Sequence, residues 1–259
     1  MCLGVYRRAM EGPSLFLAQE QLKPFKKRVV GGASGNTKAV DPASLVGLPV
    51  RDLFSWGKHL VFQFPDFALR IHFMLFGTFE AEVDGVWVTG DYRRAREPRL
   101  ALTFQNGQFL AFNCSIKVIE SRNAKKEYDF LRDIMHKSWD ATGACKLVRE
   151  QPNEYIADVL LDQDIFAGVG NIIKNEVLYI TKVGPQQKVG DLPTKKLREI
   201  IEATREFSLQ FYKWRKKFVL RKNLKVHGRG TCPYCGGKLI KKKLGKRERW
   251  AYWCPVDQL

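Results

Sequence analysis

Residues 160–179 read Leu-Leu-Asp-Gln-Asp-Ile-Phe-Ala-Gly-Val-Gly-Asn-Ile-Ile-Lys-Asn-Glu-Val-Leu-Tyr, and no other stretch constrains the fold as much. The pattern is helix, compact double turn, helix. Gly168 and Gly170 allow positive φ and close backbone approach, and Asn171 can cap the helix that follows. The start of that helix is expected to offer free N–H groups and the positive end of a dipole, a setting that suits a DNA phosphate. Taken alone, a Gly-x-Gly-Asn between helices is also an ordinary tight turn.

Charge favours the phosphate reading. The chain carries 44 Lys and Arg against 27 Asp and Glu, a net +17. Residues 213–249 alone hold 15 basic residues and a single acid, Glu248. Interleaved with Trp214, Phe218, Tyr234 and Trp250, this run is a polyanion footprint, with nucleic acid a better partner than a membrane surface. The first nine residues lack a signal-peptide core and no apolar run reaches the roughly 20 residues of a membrane span, so a soluble intracellular protein with no membrane partner is expected. At 259 residues and 45% hydrophobic content, two modest domains and a small appendage can each bury a core. Of six cysteines, Cys2, Cys114 and Cys145 read as reduced thiols, with no disulfide framework.

At the amino end, Gly12-Pro13-Ser14 starts a helix whose Leu15, Ala18 and Leu22 share a face before Pro24 stops it. Glu11 just ahead of it suits a helix dipole. From about residue 29 to 120 the pattern alternates with period two: residues 60–64, 68–73, 79–83 and 100–104 read as strands. Asp84-Gly85 and Asn106-Gly107 are hairpin signals, so an antiparallel sandwich or flattened barrel is expected. Two loops stand out. In Ser55-Trp56-Gly57-Lys58-His59 a lysine opens a strand; in His72-Phe73-Met74-Leu75-Phe76-Gly77 three large apolar side chains run into a glycine turn and cannot all point inward.

Residues 120–154 are polar and read as a hinge with the first helices of a second domain, and a helix through Tyr155, Val159 and Leu160 leads into the double turn. Leu192-Pro193 then opens a long amphipathic helix with Leu197, Ile200, Ile201, Thr204, Phe207, Ser208, Phe211 and Phe218 on one core stripe. The tail, Cys232-Pro233-Tyr234-Cys235 and then Cys254-Pro255-Val256-Asp257, is a zinc-ribbon arrangement with Asp257 in the fourth place. Zinc accepts an aspartate oxygen, so one structural zinc held by Cys232, Cys235, Cys254 and Asp257 is expected, more sensitive to chelation than a four-cysteine site.

Taken together, Gly168-Val169-Gly170-Asn171-Ile172 with Asn175-Glu176, Met10-Glu11-Gly12-Pro13, Val226-His227-Gly228-Arg229-Gly230 and Arg249 five residues before Cys254 closely resemble the formamidopyrimidine-DNA glycosylase and endonuclease VIII family. The resemblance runs from Met10 to the last residues. It implies an α+β multidomain fold: an N-terminal antiparallel β-sandwich and a C-terminal helix-two-turns-helix domain with a zinc-ribbon β-hairpin. The expected segments are a leader or mis-assigned start (1–9), a catalytic sandwich (10–122), a DNA-binding helical domain (123–225) and a zinc-finger hairpin (226–259).

In that family the N-terminal amine attacks C1′ of the damaged nucleotide, and the Schiff base expels the base and drives strand cleavage by elimination. An α-amine, with a reference pKa of about 8 against about 10.4 for lysine, is far more often unprotonated at neutral pH. The resemblance makes Met10, Glu11 and Lys58 the catalytic residues, with Glu11 moving a proton at the sugar and Lys58 stabilising charge. Asn171 and Arg249 would hold phosphates, as would His72 unless it is a buried, satisfied histidine. Met74, Leu75 and Phe76 would fill the hole left by the extruded base. Met10 replaces the family's proline and nine residues precede it; an amide nitrogen is no nucleophile, so the active form is expected to begin at Met10.

The implied function is base-excision repair: a DNA glycosylase and AP lyase acting, as a monomer, on double-stranded DNA with damaged bases or abasic sites. Oxidised pyrimidines are the expected lesions, because the apolar run resembles that of endonuclease VIII. The implied location is the bacterial cytoplasm, at the nucleoid. Two rivals stand beside it: a catalytically impaired protein that binds lesions or abasic DNA, and an RNA-binding or ribosome-associated zinc-ribbon protein suggested by charge alone.

Overall fold

The computed structural model describes residues 10–88 and 97–258; the expected leader over residues 1–9 lies outside them. The chain divides into two compact units. One comprises Ser14 to Tyr128 with Met10, the other Asp129 to the C-terminus together with Glu11–Pro13.

Helix α1 (Gly12–Leu22) belongs to the first unit from Ser14 onward, and its Leu15, Ala18 and Leu22 are wholly buried as the spacing predicts. Strands β1 (Gly32–Ser34), β2 (Asp52–Trp56), β3 (His59–Gln63), β4 (Ala68–Val83), β5 (Val86–Trp87), β6 (Leu100–Phe104) and β7 (Gly107–Ile119) form one antiparallel sheet in the order β1-β6-β7-β4-β3-β2, with β5 on β4. The two strands expected at 68–73 and 79–83 are a single sixteen-residue strand. The sheet folds into a sandwich because β4 and β7 serve both layers. Phe62 of β3 meets Phe109 of β7 with ring centroids 4.9 Å apart, and Phe79 lies 5.9 Å from the same ring.

Asp84-Gly85 makes the expected hairpin into β5, both at positive φ. At the other hairpin the two-residue loop is Gln105-Asn106, because Gly107 already pairs with Phe104 in the ladder. The unit continues past the expected boundary at residue 122. Buried Gln63 accepts the Ala124 N–H at 2.7 Å, Lys125 pairs with Asp52 at 2.6 Å, and Tyr128 packs edge-on against Phe54. These contacts hold the polar segment to the sheet.

The second unit contains α2 (Ala141–Arg149), capped by Asp140 through the Thr142 N–H, then α3 (Ile156–Val159), α4 (Asn171–Ile180), α5 (Thr194–Lys216), α6 (Leu220–Asn223) and the hairpin β8 (Ile240–Leu244) and β9 (Arg249–Trp253). The stripe of α5 from Leu197 to Phe211 is buried as expected. Phe218 is not part of it: it is 71% exposed at φ 58°, beyond the helix end, where a left-handed residue turns the chain out of the helical register. No helix among the described residues is long and apolar enough to cross a membrane.

Candidate nucleic-acid site

Gln163 braces the double turn at three points. Gln163 donates to the carbonyls of Leu161 (2.9 Å) and Val169 (3.0 Å) and accepts the Gly168 N–H (3.1 Å). Gly168, at φ 102°, offers its carbonyl to the Gly12 N–H at 2.8 Å, and a Cβ on Gly12 would stand 2.8 Å from the Gly168 Cα. Two glycines so placed let the amino-terminal segment lie directly on the turn.

That approach delivers Glu11 to the start of α4. Its carboxylate, 3% exposed, accepts the N–H groups of Ile172 at 2.8 Å and Ile173 at 3.2 Å. A Cβ on Gly170 would collide with it at 2.4 Å. The expectation that this helix end offers free N–H groups to a phosphate is therefore corrected. The groups already cap a protein carboxylate, which the dipole favours for the same reason it would favour a phosphate. Asn171 is not the cap either: Gly170 takes that position, and the Asn171 amide oxygen is buried without a hydrogen-bond partner.

Helix α4 carries a buried polar row, Lys174, Asn175 and Glu176, all 1% exposed or less. Each binds the chain that follows. The Glu176 carboxylate accepts the N–H groups of Lys225, Val226 and His227 at 2.7–2.9 Å; burial still pushes its pKa up, against the pull of those donors. Asn175 accepts the Tyr252 N–H through Oδ1, so its Nδ2 faces His227 Nδ1 at 3.0 Å. The imidazole must then accept at Nδ1 and carry its proton on Nε2, which faces the Asn171 backbone. Burial, with help from Lys174, lowers the His227 pKa to about 4.

Lys174 Nζ donates to the Trp250 carbonyl at 3.1 Å. Burial and the Arg249 guanidinium pull its pKa down to about 8, against Asp158 and Glu11. Glu11, Asn171 and Arg249 thus gather around the first turns of one helix. Sequence reasoning missed Gln163 and Lys174 as supports, and had His227 only within a resemblance motif. Asn175-Glu176 was visible only as part of a resemblance, because a polar row on a short helix reads as a solvated face.

The hairpin turn after β8 is anchored to protein. Asp158 accepts the Lys246 N–H at 3.0 Å, and the Lys246 ammonium pairs with Glu154 at 2.5 Å. At the hairpin's base the ligand atoms of Cys232, Cys235, Cys254 and Asp257 all lie within 4.8 Å of one another. Cys232 Sγ is 3.2 Å from Asp257 Oδ2 and Cys235 Sγ is 3.5 Å from Cys254 Sγ. With Zn–S near 2.3 Å and Zn–O near 2.1 Å, a tetrahedral ion needs ligand atoms about 3.6–3.8 Å apart, so small side-chain adjustments would let this donor set hold one. Tyr179 of α4 reaches Cys232 Sγ at 3.3 Å, a second support for the same ligand.

In the first unit, Lys58 occupies the two-residue turn between β2 and β3 after Gly57 at φ 52°. His59 and His72 face each other across the ladder, rings 5.5 Å apart. Burial first, then the charges of Lys58 and Arg70, lower both pKa values, that of His59 to about 3. The lowered pKa favours the neutral ring of His72, which is partly buried. Beyond it the β4–β7 register breaks: Phe73 pairs with Cys114 and Thr78 with Phe112, so residues 74–77 oppose Asn113 alone. This bulge throws Met74, Leu75 and Phe76 outward at 50%, 57% and 40% exposure.

Comparison with known proteins agrees with this geometry. Residues 133–209 match the formamidopyrimidine-DNA glycosylase H2TH domain. Mouse endonuclease 8-like 3 is 32% identical over 206 residues, covering 78% of this chain and 33% of that protein. Human endonuclease 8-like 2 is 32% identical over 208 residues, 73% of this chain and 57% of that one. The chain therefore spans about a third of the length of the endonuclease 8-like 3 relatives. In fold, formamidopyrimidine-DNA glycosylase of Lactococcus lactis, bound non-covalently to DNA containing an AP site, superposes with a TM-score of 0.80 at 22% identity, over 96% of this chain and 99% of the other.

Proposed function

Since the chain belongs to the formamidopyrimidine-DNA glycosylase and endonuclease VIII-like family, we propose that it is a base-excision-repair DNA glycosylase with AP-lyase activity on oxidised bases, pyrimidines foremost. The observation that carries this reading is the seat of Glu11. A carboxylate next in sequence to the proposed nucleophile is fixed by two N–H groups at the start of α4, so it is oriented before substrate arrives.

In the proposed reaction the free amine of Met10, in a form that begins there, attacks C1′ of the damaged nucleotide. The C1′–N bond breaks and the base leaves with a proton. The Glu11 carboxylate takes the second amine proton and passes it to the ring oxygen as the imine forms and the sugar opens. Removal of a C2′ proton then expels the 3′ phosphate, and water releases the amine. Lys58 stabilises the anionic groups; His72, as a neutral N–H donor, and Asn171 and Arg249 hold phosphates. Met74, Leu75 and Phe76 occupy the vacated stack, and their exposure on the bulge suits that use. A zinc ion on Cys232, Cys235, Cys254 and Asp257 would hold the hairpin that carries Arg249.

The test is borohydride trapping on a duplex with an abasic site or thymine glycol, using protein that begins at Met1 and protein that begins at Met10. Covalent capture only of the shorter form is the expected result. Salt-sensitive binding by both without capture points instead to a lesion-binding protein, which Met10 in place of proline favours.

A further inference from the structure

The hairpin has a second face that the repair reading does not use. Cross-strand pairing sets Lys243 opposite Trp250 and Lys241 opposite Tyr252, so these four side chains share one side of the ribbon. Ala251, on the other side, is wholly buried. Trp250 is 44% exposed, unusual for the largest apolar side chain, and both lysines are exposed. Their ammonium groups lie 4.6 Å (Lys241) and 5.8 Å (Lys243) from its ring centroid. Neither strand contains a carboxylate.

We infer that this face is a stacking platform for an unpaired nucleobase of single-stranded DNA, with Lys241 and Lys243 on the flanking phosphates. The inference rests on the proposed nucleic-acid function and adds a site to it. A flat, exposed indole matches the face of a base, which is available in a single strand and covered by its neighbours in a duplex. The two lysines, two residues apart on one strand, stand about 7 Å from each other, a span that consecutive phosphates can meet. The base takes the place of the ammonium groups over the ring, and these move to the backbone.

The experiment compares binding of a thymidine homo-oligonucleotide and of an abasic-site duplex to the full chain, by fluorescence anisotropy over one matched series of salt concentrations. Trp250→Ala should weaken the single strand about tenfold and the abasic duplex less than about twofold. Trp250→Phe should stay within about threefold of the parent on the single strand. Lys241→Gln/Lys243→Gln, confined to exposed positions, should weaken the single strand and flatten its salt dependence. Unchanged single-strand binding in both Trp250→Ala and the lysine variant overturns the platform, and so does an equal loss on both ligands. A parent protein that does not prefer the abasic duplex to an undamaged one counts against the repair reading alone.

Discussion

Glu11 and Gly170 are in such close apposition that a methyl group on the glycine would stand 2.4 Å from the carboxyl carbon of the glutamate. Gly170 has an ordinary negative φ, so the requirement for glycine is one of space and not of backbone conformation. Gly170→Ala is expected to push the carboxylate off the Ile172 and Ile173 N–H groups. The lyase rate on an abasic duplex should fall at least about a hundredfold. Circular dichroism should stay native-like; an unaltered rate would mean that the position of Glu11 does not matter.

Glu11→Gln separates the carboxylate's charge from its shape. The amide oxygen can still accept from the helix N-terminus, so the melting temperature should drop by only a few degrees, in line with the roughly 1 kcal/mol of a lost charged cap. Base release should slow by about 10²–10⁴-fold, with binding to an abasic duplex retained. Equal losses of binding and of base release would assign Glu11 a structural role only.

Stability should fall in acid through His227. Its folded pKa is about 4, below the ordinary 6.5, so between those values the unfolded chain binds the proton and the native imidazole does not. Stability contributed by the neutral ring is fully present above pH 6.5 and is lost as pH falls towards 4, on the order of 3 kcal/mol. His59, lowered to about 3, extends the loss further down. Denaturant midpoints between pH 7 and 4 measure it, and His227→Gln should flatten the slope between 6.5 and 4.

The site with three cysteines and an aspartate predicts one equivalent of zinc by atomic emission. A chelator should lower the melting temperature and weaken DNA binding together, because Arg249 stands on the hairpin above the site. Asp257→Cys should raise resistance to the chelator, since thiolate suits zinc better than carboxylate. A protein that carries no metal and melts identically with and without chelator would remove the ion from the account.

The proposed void-filling role of Met74, Leu75 and Phe76 is testable because these side chains are exposed. Replacing Met74, Leu75 and Phe76 together with alanine truncates side chains that are each 40–57% exposed, so the fold should be retained with a stability loss of no more than about 3 kcal/mol. Excision from a duplex should fall about tenfold or more, the cost of leaving an opened stack unfilled. Excision from a single strand should change far less.

Much of this molecule was legible in its residues. Period-two alternation located the strands, and the glycine-rich turn located α4. Cysteine spacing located the cluster of Cys232, Cys235, Cys254 and Asp257 that could hold a metal ion, because each of these is a local property: side-chain direction, allowed φ, ligand reach. Contacts distant in sequence were decided only by folding. Glu11 and Ile172 are 161 positions apart, and no periodicity relates them, so the helix end that looked ready for a phosphate proved to be capped by the chain's own carboxylate. Phe218 fitted the stripe of α5 by spacing, yet the helix stops before it. Lys174, Asn175 and Glu176 look like a solvated face until the hairpin covers them. What a side chain touches across the fold depends on which surfaces meet, and that follows from the packing of whole elements rather than from any short stretch of sequence.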